Sequence, residues 1–591
     1  MAQRRGILYP RRTCPAGIAP IHAEEKFPST SAQPAHSRNA SRLLAWSLIL
    51  AAPTLVVIPM LIFGNASGHD FQFHIASWLD ASSQWHQGIL FPRWAQWSNW
   101  GFGEPRFIFY PPASWVIGAG LGSILPWDMA AGAYVWLVLA LAGLSAWLLA
   151  REWLPGTQAA AAAFFYALNP YHLVIVYYRS DFAELLASAI FPLVVWGALR
   201  VVHQGWRGVP LLAVPFAAIW LSNAPAGVIA SYSLVLILAA GCIECRSLRP
   251  LLPGAAAIAA GFGLAAFYII PAAWEQKWVQ IAEALGADLN PGRNFLFARA
   301  NDPEFVLFNW KVSAVALAVM LVAGIAAVFV ARRRREFPEL RWMLLLLGVF
   351  AVFLMTPASL ALWSFLPKMR FVQFPWRWLG PLGLVFAIFV ATAAPGGTRR
   401  QWAWWLGIFL FIAAIGTAIG NDTWWDSDDA LDMVAAVQTR AGYEGTDEYA
   451  PLECYRKLLP HHAPQISEFD EDSEKIVAAR GAHFLIRNWT AENVAIQANL
   501  DAPATLALRL LDYPAWEVRV DGVRVEDVKP APDTGQILVP MVKGDHLLEL
   551  TFRRTPDRSI GGGVSIFSLL VLMGIAGATR RKPRFAHAGH G

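Results

Sequence analysis

Long apolar runs alternate with short polar loops along this chain, and the runs set its architecture. Stretches of about 20 apolar residues match the length needed to cross a hydrocarbon core roughly 30 Å thick. They recur at 43–63, 130–150, 158–175, 182–201, 208–222, 225–243, 252–273, 311–331, 342–364, 372–394, 402–420 and 558–578. The pattern predicts a polytopic α-helical membrane protein with about twelve transmembrane helices. Between 421 and 557 the period changes. NVAIQANL, ATLALRLL, AWEVRVDG, QILVPM and HLLELTF alternate apolar and polar positions as strands do, with turns at DG and KGD. This segment predicts a β-sandwich or jelly-roll-like domain. It opens with a short helix at WWDSDDALDMVAAVQ, and the run at 558–578 follows it as a final transmembrane helix.

Orientation follows from the basic residues of the loops. The clusters are the N-terminal tail, Arg200 with Arg207, Arg246 with Arg249, Arg332 to Arg335, Arg399–Arg400 and Arg580 to Lys582. With twelve spans all of them fall on one side, the cytoplasm. The parity requires that ASWVIGAGLGSILPW (113–127) does not cross. It is short, glycine-rich and ends in Pro-Trp, as a surface or re-entrant helix would. The first outer loop then covers 64–129, and 421–557 is extracytoplasmic. Residues 1–42 form a disordered cytoplasmic tail with no signal-peptide core, so 43–63 is a retained span, and 579–591 are a second cytoplasmic tail.

Composition sharpens this picture at three points. Only 15% of residues are charged and the mean hydropathy is +0.41, which excludes an ordinary soluble enzyme. The net charge of +5 hides an asymmetry: 421–557 holds more than half of the 42 acidic residues and little more than a quarter of the 47 Lys and Arg. The basic balance therefore belongs to membrane flanks, and no nucleic-acid footprint, P-loop or GxGxxG is present. Of the four cysteines, Cys242 and Cys245 form a lone CxxC at a membrane boundary, with no second pair to complete a zinc site.

Polar residues gather in the outer loops. GHDFQFH (68–74) places His69, Asp70 and His74 at the exit of the first span, and Arg93, Glu104 and Tyr110 follow in FPRW and GFGEPRFIFYPP. Asp70 precedes an amphipathic helix, so it serves as an N-cap, as a functional carboxylate, or as both. His74 lies one turn on, so the two would share a partner or a divalent cation such as Mg or Mn. YYRSDFAE sets Arg179, Asp181 and Glu184 at the mouth of a span, where charge is costly without a partner or a task. FVQFPWRW sets Gln373 and Arg377 among aromatic rings, where Arg377 either snorkels to lipid headgroups or binds phosphate.

The order HD, FPRW, GFGEPRFIFYPP, YHLVIVYYRSDFAE and QFPWRW resembles a bacterial membrane family labelled "6-pyruvoyl-tetrahydropterin synthase-related", itself similar to a branch of the glycosyltransferase C superfamily. The resemblance covers most of 43–420, and the β-rich domain with YPAWEVRVDG and a closing span is similar to ectodomains of related bacterial membrane glycosyltransferases. The histidine triad of the soluble pterin synthases is not reproduced. The resemblance implies a glycosyltransferase in the bacterial inner membrane, an essential aspartate in the first outer loop, and a polyprenyl-phosphate sugar as donor. Asp70 matches that aspartate by position, and Asp181 and Glu184 match a second acidic site loosely. His69, His74, Arg93, Glu104, Tyr110, Arg179, Gln373 and Arg377 complete the expected substrate-binding set, and an envelope glycan, lipid or protein would be the acceptor. Two rival readings use the same residues: a non-catalytic scaffold for envelope assembly, and a transporter or flippase.

Overall fold

The computed structural model describes residues 35–580 apart from 287, 300–301, 333–337, 427 and 527. Most of the two tails and of the Arg332 to Arg335 cluster lie outside these residues. The protein is a polytopic helical membrane protein with a C-terminal two-sheet domain and a closing apolar helix, Pro556–Arg580. Among the described residues nine segments are long and apolar enough to cross a membrane, or eleven if each of two bent pairs counts as one span. The longest segment, Phe182–Ser222, is a hairpin rather than one rod. Its arms, Phe182–Gln204 and Val209–Ser222, lie so close that a Cβ on Gly197 would meet the Leu211 carbonyl oxygen at 2.5 Å. Counting its arms separately, every one of the twelve expected apolar segments is helical. The second arm has 14 residues and, at about 1.5 Å per residue, falls short of a full crossing.

Local chemistry breaks several spans where an apolar run alone looked continuous. Leu251–Leu264 and Ala266–Trp278 meet at 70°, and Leu340–Leu354 and Pro357–Phe365 at 92°. Pro357 has no N–H to extend the ladder, so the second bend falls there. At the first bend, Gly263 touches the closing helix, where a Cβ would sit 2.0 Å from the Ser568 hydroxyl, and the Ser565 hydroxyl accepts from the Phe267 N–H (2.9 Å). The span Gly156–Arg179 is interrupted at Asn169-Pro170. The Asn169 side chain caps a new turn by accepting from the N–H groups of Tyr171 (3.0 Å) and His172 (3.2 Å). The segment then widens into a π-turn, Val174–Arg179, that delivers Arg179 to the end facing the Phe71–His86 helix.

The loop after the first span carries a helix, Phe71–His86, whose Phe71, Ile75, Trp78 and Leu79 are buried at helical spacing. Trp78 lies on Gly118 of the helix Pro112–Gly122, where an added Cβ would sit 2.0 Å from the indole. At 11 residues, about 1.5 Å each, that helix is too short to cross.

The C-terminal domain pairs two antiparallel five-stranded sheets. One runs 529–530, 536–541, 504–511, 466–470, 475–477; the other 482–489, 493–500, 544–552, 516–520, 523–524. Ile496, Leu506, Leu508, Ile537, Val539, Leu548 and Leu550 fill the core between them, and Trp94, Phe102 and Ile108 of the first loop join the same core. Trp94 packs on Trp516 and Phe552 (centroids 5.7 and 5.5 Å), and the Leu511 N–H donates to the Phe102 carbonyl (3.0 Å). Loop and domain therefore form one seated unit.

Candidate functional site

The exit of the first span and the start of the Phe182–Gln204 helix are zipped together by backbone. The Asp70 N–H donates to the Arg179 carbonyl (2.8 Å), and the Gly68 N–H to the Ser180 hydroxyl (3.1 Å), which itself donates to the Ala66 carbonyl (2.7 Å). Only glycine fits at 68: a Cβ would lie 2.6 Å from both the Arg179 carbonyl carbon and the Tyr178 carbonyl oxygen. Ser180 turns the chain at φ 53°, a left-handed conformation that costs a non-glycine residue about 1 kcal/mol or more. Asp70 occupies the N-cap position of Phe71–His86, yet its side chain makes no cap hydrogen bond. Its carboxylate accepts instead from Nη2 of Arg179, at 2.9 Å.

Arg179 is the hub of a buried charge cluster. Its Nη2 also donates to Asp181 (2.9 Å) and its Nη1 to Glu184 (2.5 Å). Arg377 closes the cluster from the other side: Nε donates to Glu184 (2.9 Å), and Nη1 to the Val372 carbonyl (3.0 Å) and to Gln373 Oε1 (3.2 Å). Its Nη2 lies 3.5 Å from Asp181. Three carboxylates thus share two guanidiniums. Tyr171 donates its hydroxyl to the other Glu184 oxygen, and Asp181 Oδ1 caps its helix by accepting from the Glu184 N–H (2.9 Å). Burial alone would push the Asp181 carboxyl up, but the Arg179 and Arg377 charges outweigh it and hold the group well below the usual carboxylate range.

This cluster forms the charged end of a cavity of about 820 Å³. His69, Asp70, Tyr110, Arg179, Asp181, Gln373 and Arg377 all line it. Trp220, Val228, Phe262 and Ile269, from four helices of the membrane part, line its apolar part. Gln373 sits at φ 63°, ψ −57° in a tight γ-turn closed by the Phe374 N–H on the Val372 carbonyl (2.7 Å), and its amide donates to the Ala284 carbonyl (2.8 Å). Side-chain exposure separates the carboxylates: Asp70 is 36% exposed, Asp181 and Glu184 only 5%.

Four expected residues stand elsewhere. Glu184 lies behind the arginines, against a second, smaller void with Tyr171 and Ser188. His74 is sealed among aromatic rings with Nε2 3.7 Å from Asp181 Oδ1, beyond hydrogen-bond reach. Glu104 is fully buried away from the cavity, accepting from Arg106 Nε (2.8 Å), Asn99 (3.1 Å) and the Thr446 N–H (3.1 Å). Arg93 stacks on Phe91 at 4.4 Å in the loop beside Arg558 and Glu492. Each is a polar residue in a loop or at the mouth of a span, and sequence alone does not separate a ligand from a brace.

The residues do not fit a divalent cation at Asp70 and His74. Asp70 is taken up by Arg179, His74 is sealed on the side of Asp181, and the Arg179 guanidinium fills the space between the carboxylates. Among the described residues no group of three or more His, Cys, Asp or Glu is placed to hold a metal.

Lys368, Asn223, Thr446, Glu448 and Tyr449 also line the cavity, and the sequence reading missed them. The last three come from the C-terminal domain. Burial pushes the Glu448 carboxyl up, and the nearby Glu104 and Asp447 add to the shift.

No family model and no curated protein matches this chain. Among solved structures it is similar to the apo oligosaccharyltransferase of Archaeoglobus fulgidus (14% identity over 64% of this chain and 55% of that one, TM-score 0.39). It is similar to the archaeal oligosaccharyltransferase AglB from the same organism in complex with an inhibitory peptide and a dolichol-phosphate (15%, 68% and 56%, TM-score 0.40). It is also similar to ArnT from Cupriavidus metallidurans bound to undecaprenyl phosphate (14%, 62% and 63%, TM-score 0.36). The chain spans less than two thirds of each of those chains, and likenesses of this size carry no function across.

Proposed function

We propose that this protein is a membrane glycosyltransferase of the glycosyltransferase C kind. It moves a sugar from a polyprenyl-phosphate donor to an envelope glycan, lipid or protein acceptor at the outer face of the bacterial inner membrane. The observation that carries the reading is a single cavity with a half-exposed carboxylate at one end and walls of membrane-helix side chains at the other. An amphipathic donor with a polar sugar and an isoprenoid tail has that shape of polarity.

Asp70 is the base. Arg179 aims its carboxylate, while one face stays open to the cavity. The acceptor hydroxyl gives its proton to Asp70 as its oxygen bonds to the anomeric carbon. The bond from that carbon to phosphate oxygen breaks, and the lipid phosphate leaves with the electron pair. One displacement through an oxocarbenium-like state inverts the anomeric centre. Asp181, Glu184 and Arg377 hold Arg179 in place. Tyr110 offers a ring against which a sugar can lie.

Purified protein in lipid nanodiscs, incubated with a panel of synthetic polyprenyl-phosphate sugars, is expected to release polyprenyl phosphate from at least one, with inverted product. No release across the panel, with or without mixed membrane acceptors, would sink the reading.

A further inference from the structure

The mechanism above leaves open what receives the phosphate, and the two arginines are poor candidates. Most of their N–H groups already serve Asp70, Asp181, Glu184, Gln373 and a backbone carbonyl. The cluster holds one more carboxylate than guanidinium, so a phosphate placed on it would meet net negative charge and would have to break charge-assisted bonds.

One cation on the cavity wall is differently placed. Lys368 lines the cavity, is exposed, and has no carboxylate within ion-pair distance among the described residues. Its Nζ rests only over the Phe371 ring, at 4.9 Å. The backbone holds it with care. Lys368 sits at φ 59°, a conformation that a lysine adopts only under constraint. Its carbonyl accepts from the Phe371 N–H (3.0 Å), and the Pro367 carbonyl before it accepts from the Tyr232 hydroxyl (2.9 Å) of the Ala224–Cys245 helix. Tyr232 and Val228 of that helix, with Trp220 and Phe262, form the apolar wall of the same cavity.

We infer that Lys368 binds the phosphate of an isoprenoid-phosphate lipid whose tail lies along the Trp220, Val228, Tyr232 and Phe262 wall. The inference rests on the donor reading above and assigns its headgroup to one residue. A compact ammonium with three donors suits a phosphate that must be held and later released. The carboxylate–guanidinium cluster is then left to the sugar and the acceptor.

The test uses full-length protein in nanodiscs and three probes: farnesyl phosphate, farnesol and inorganic phosphate, with binding followed calorimetrically. Lys368→Ala is expected to weaken farnesyl phosphate roughly tenfold or more, to leave farnesol unchanged, and to keep the wild-type melting temperature. Lys368→Arg should retain most of the affinity, and Arg370→Ala, at an exposed neighbour outside the cavity, should change nothing. Equal binding of farnesyl phosphate by wild type and Lys368→Ala overturns the assignment of Lys368 while leaving the donor reading standing. Loss of farnesol along with farnesyl phosphate overturns it too, because the residue would then act on the tail. Inorganic phosphate binding as tightly as the lipid, and through Lys368, replaces the lipid with a soluble phosphate. Failure of wild-type protein to bind farnesyl phosphate strikes the donor reading itself.

Discussion

Two buried ion-pair networks lie along the Phe71–His86 helix, and they are built to opposite specifications. Around Arg106 both carboxylates are closed, each oxygen of Asp80 and of Glu104 hydrogen-bonded. Arg106 donates to Glu104 (2.8 Å), Ser77 (3.1 Å) and Ser98 (3.2 Å), while Asp80 accepts from Gln84 (2.8 Å), the Trp97 N–H (3.0 Å) and Tyr443 (2.8 Å). Asp80 and Glu104 are both 0% exposed. Around Arg179 the network is open on one side. Asp70 faces the cavity, and three carboxylates share two guanidiniums. Both arrangements satisfy the rule that buried charge needs partners. The first uses charge to hold the outer loop against the C-terminal domain; the second leaves a carboxylate with a lone pair to give. Completeness of pairing, more than burial or charge, separates a brace from a reactive site.

The sharpest way to break this contrast is to remove a cation from each side. Arg106→Met leaves Glu104 buried with no opposite charge and is expected to cost about 3–5 kcal/mol, read as a large fall in melting temperature. The double variant Arg106→Met with Glu104→Gln should regain part of that loss. Asp70→Asn should do the reverse. Its half-exposed pair contributes about 1 kcal/mol or less to stability, while transfer should drop roughly 10²–10⁴-fold for loss of a base. A folded Asp70→Asn protein with near-normal turnover would erase the distinction. At the next size down, Tyr443→Phe removes one hydrogen bond from the buried Asp80 carboxyl and should cost about 1–3 kcal/mol with donor binding unchanged.

The smallest effect is a difference of sign with pH. Burial pushes Asp80 up, and its donors only partly offset this, so the folded state holds that proton more tightly than the unfolded one. Its contribution is most favourable below its ordinary value of 3.8 and declines as pH rises above it. Asp181 is held low, so its contribution is present above 3.8 and lost as pH falls through and below that value. Melting temperatures at pH 7 and pH 3 should therefore show Asp181→Asn more costly at pH 7, and Asp80→Asn less costly there. The same sign for both would mean the two networks are not electrostatic opposites.

The membrane helices were legible because a bilayer demands one readable quantity, a run of apolar residues, and little else competes with it. The bends were not: Leu251–Leu264 and Ala266–Glu275 are alike in polarity, and the turn between them depends on contacts from Ser565 and Ser568, some 300 residues on. Asp70, Arg179, Asp181 and Arg377 stood out because charges beside membrane spans are rare and expensive. Their partnership with one another needed coordinates. Glu104 was expected in the substrate-binding set beside Asp70, since neither periodicity nor spacing says whether a carboxylate's second oxygen is occupied. Lys368 and Glu448 are single charges in irregular segments, and only folding brings them to one wall. The N-cap reading of Asp70 had a sound local basis, and a guanidinium more than 100 positions away (|i−j| = 109) outcompeted it.

The seam between 66–70 and 178–180 has a consequence for how such proteins can be recombined. Because Gly68 admits no side chain and the two segments trade backbone bonds, neither can be exchanged for a homologous loop alone without shifting the carboxylate relative to its arginine. Grafts that aim to alter what this protein accepts must carry both segments as one cassette, and then the chemistry travels with the scaffold.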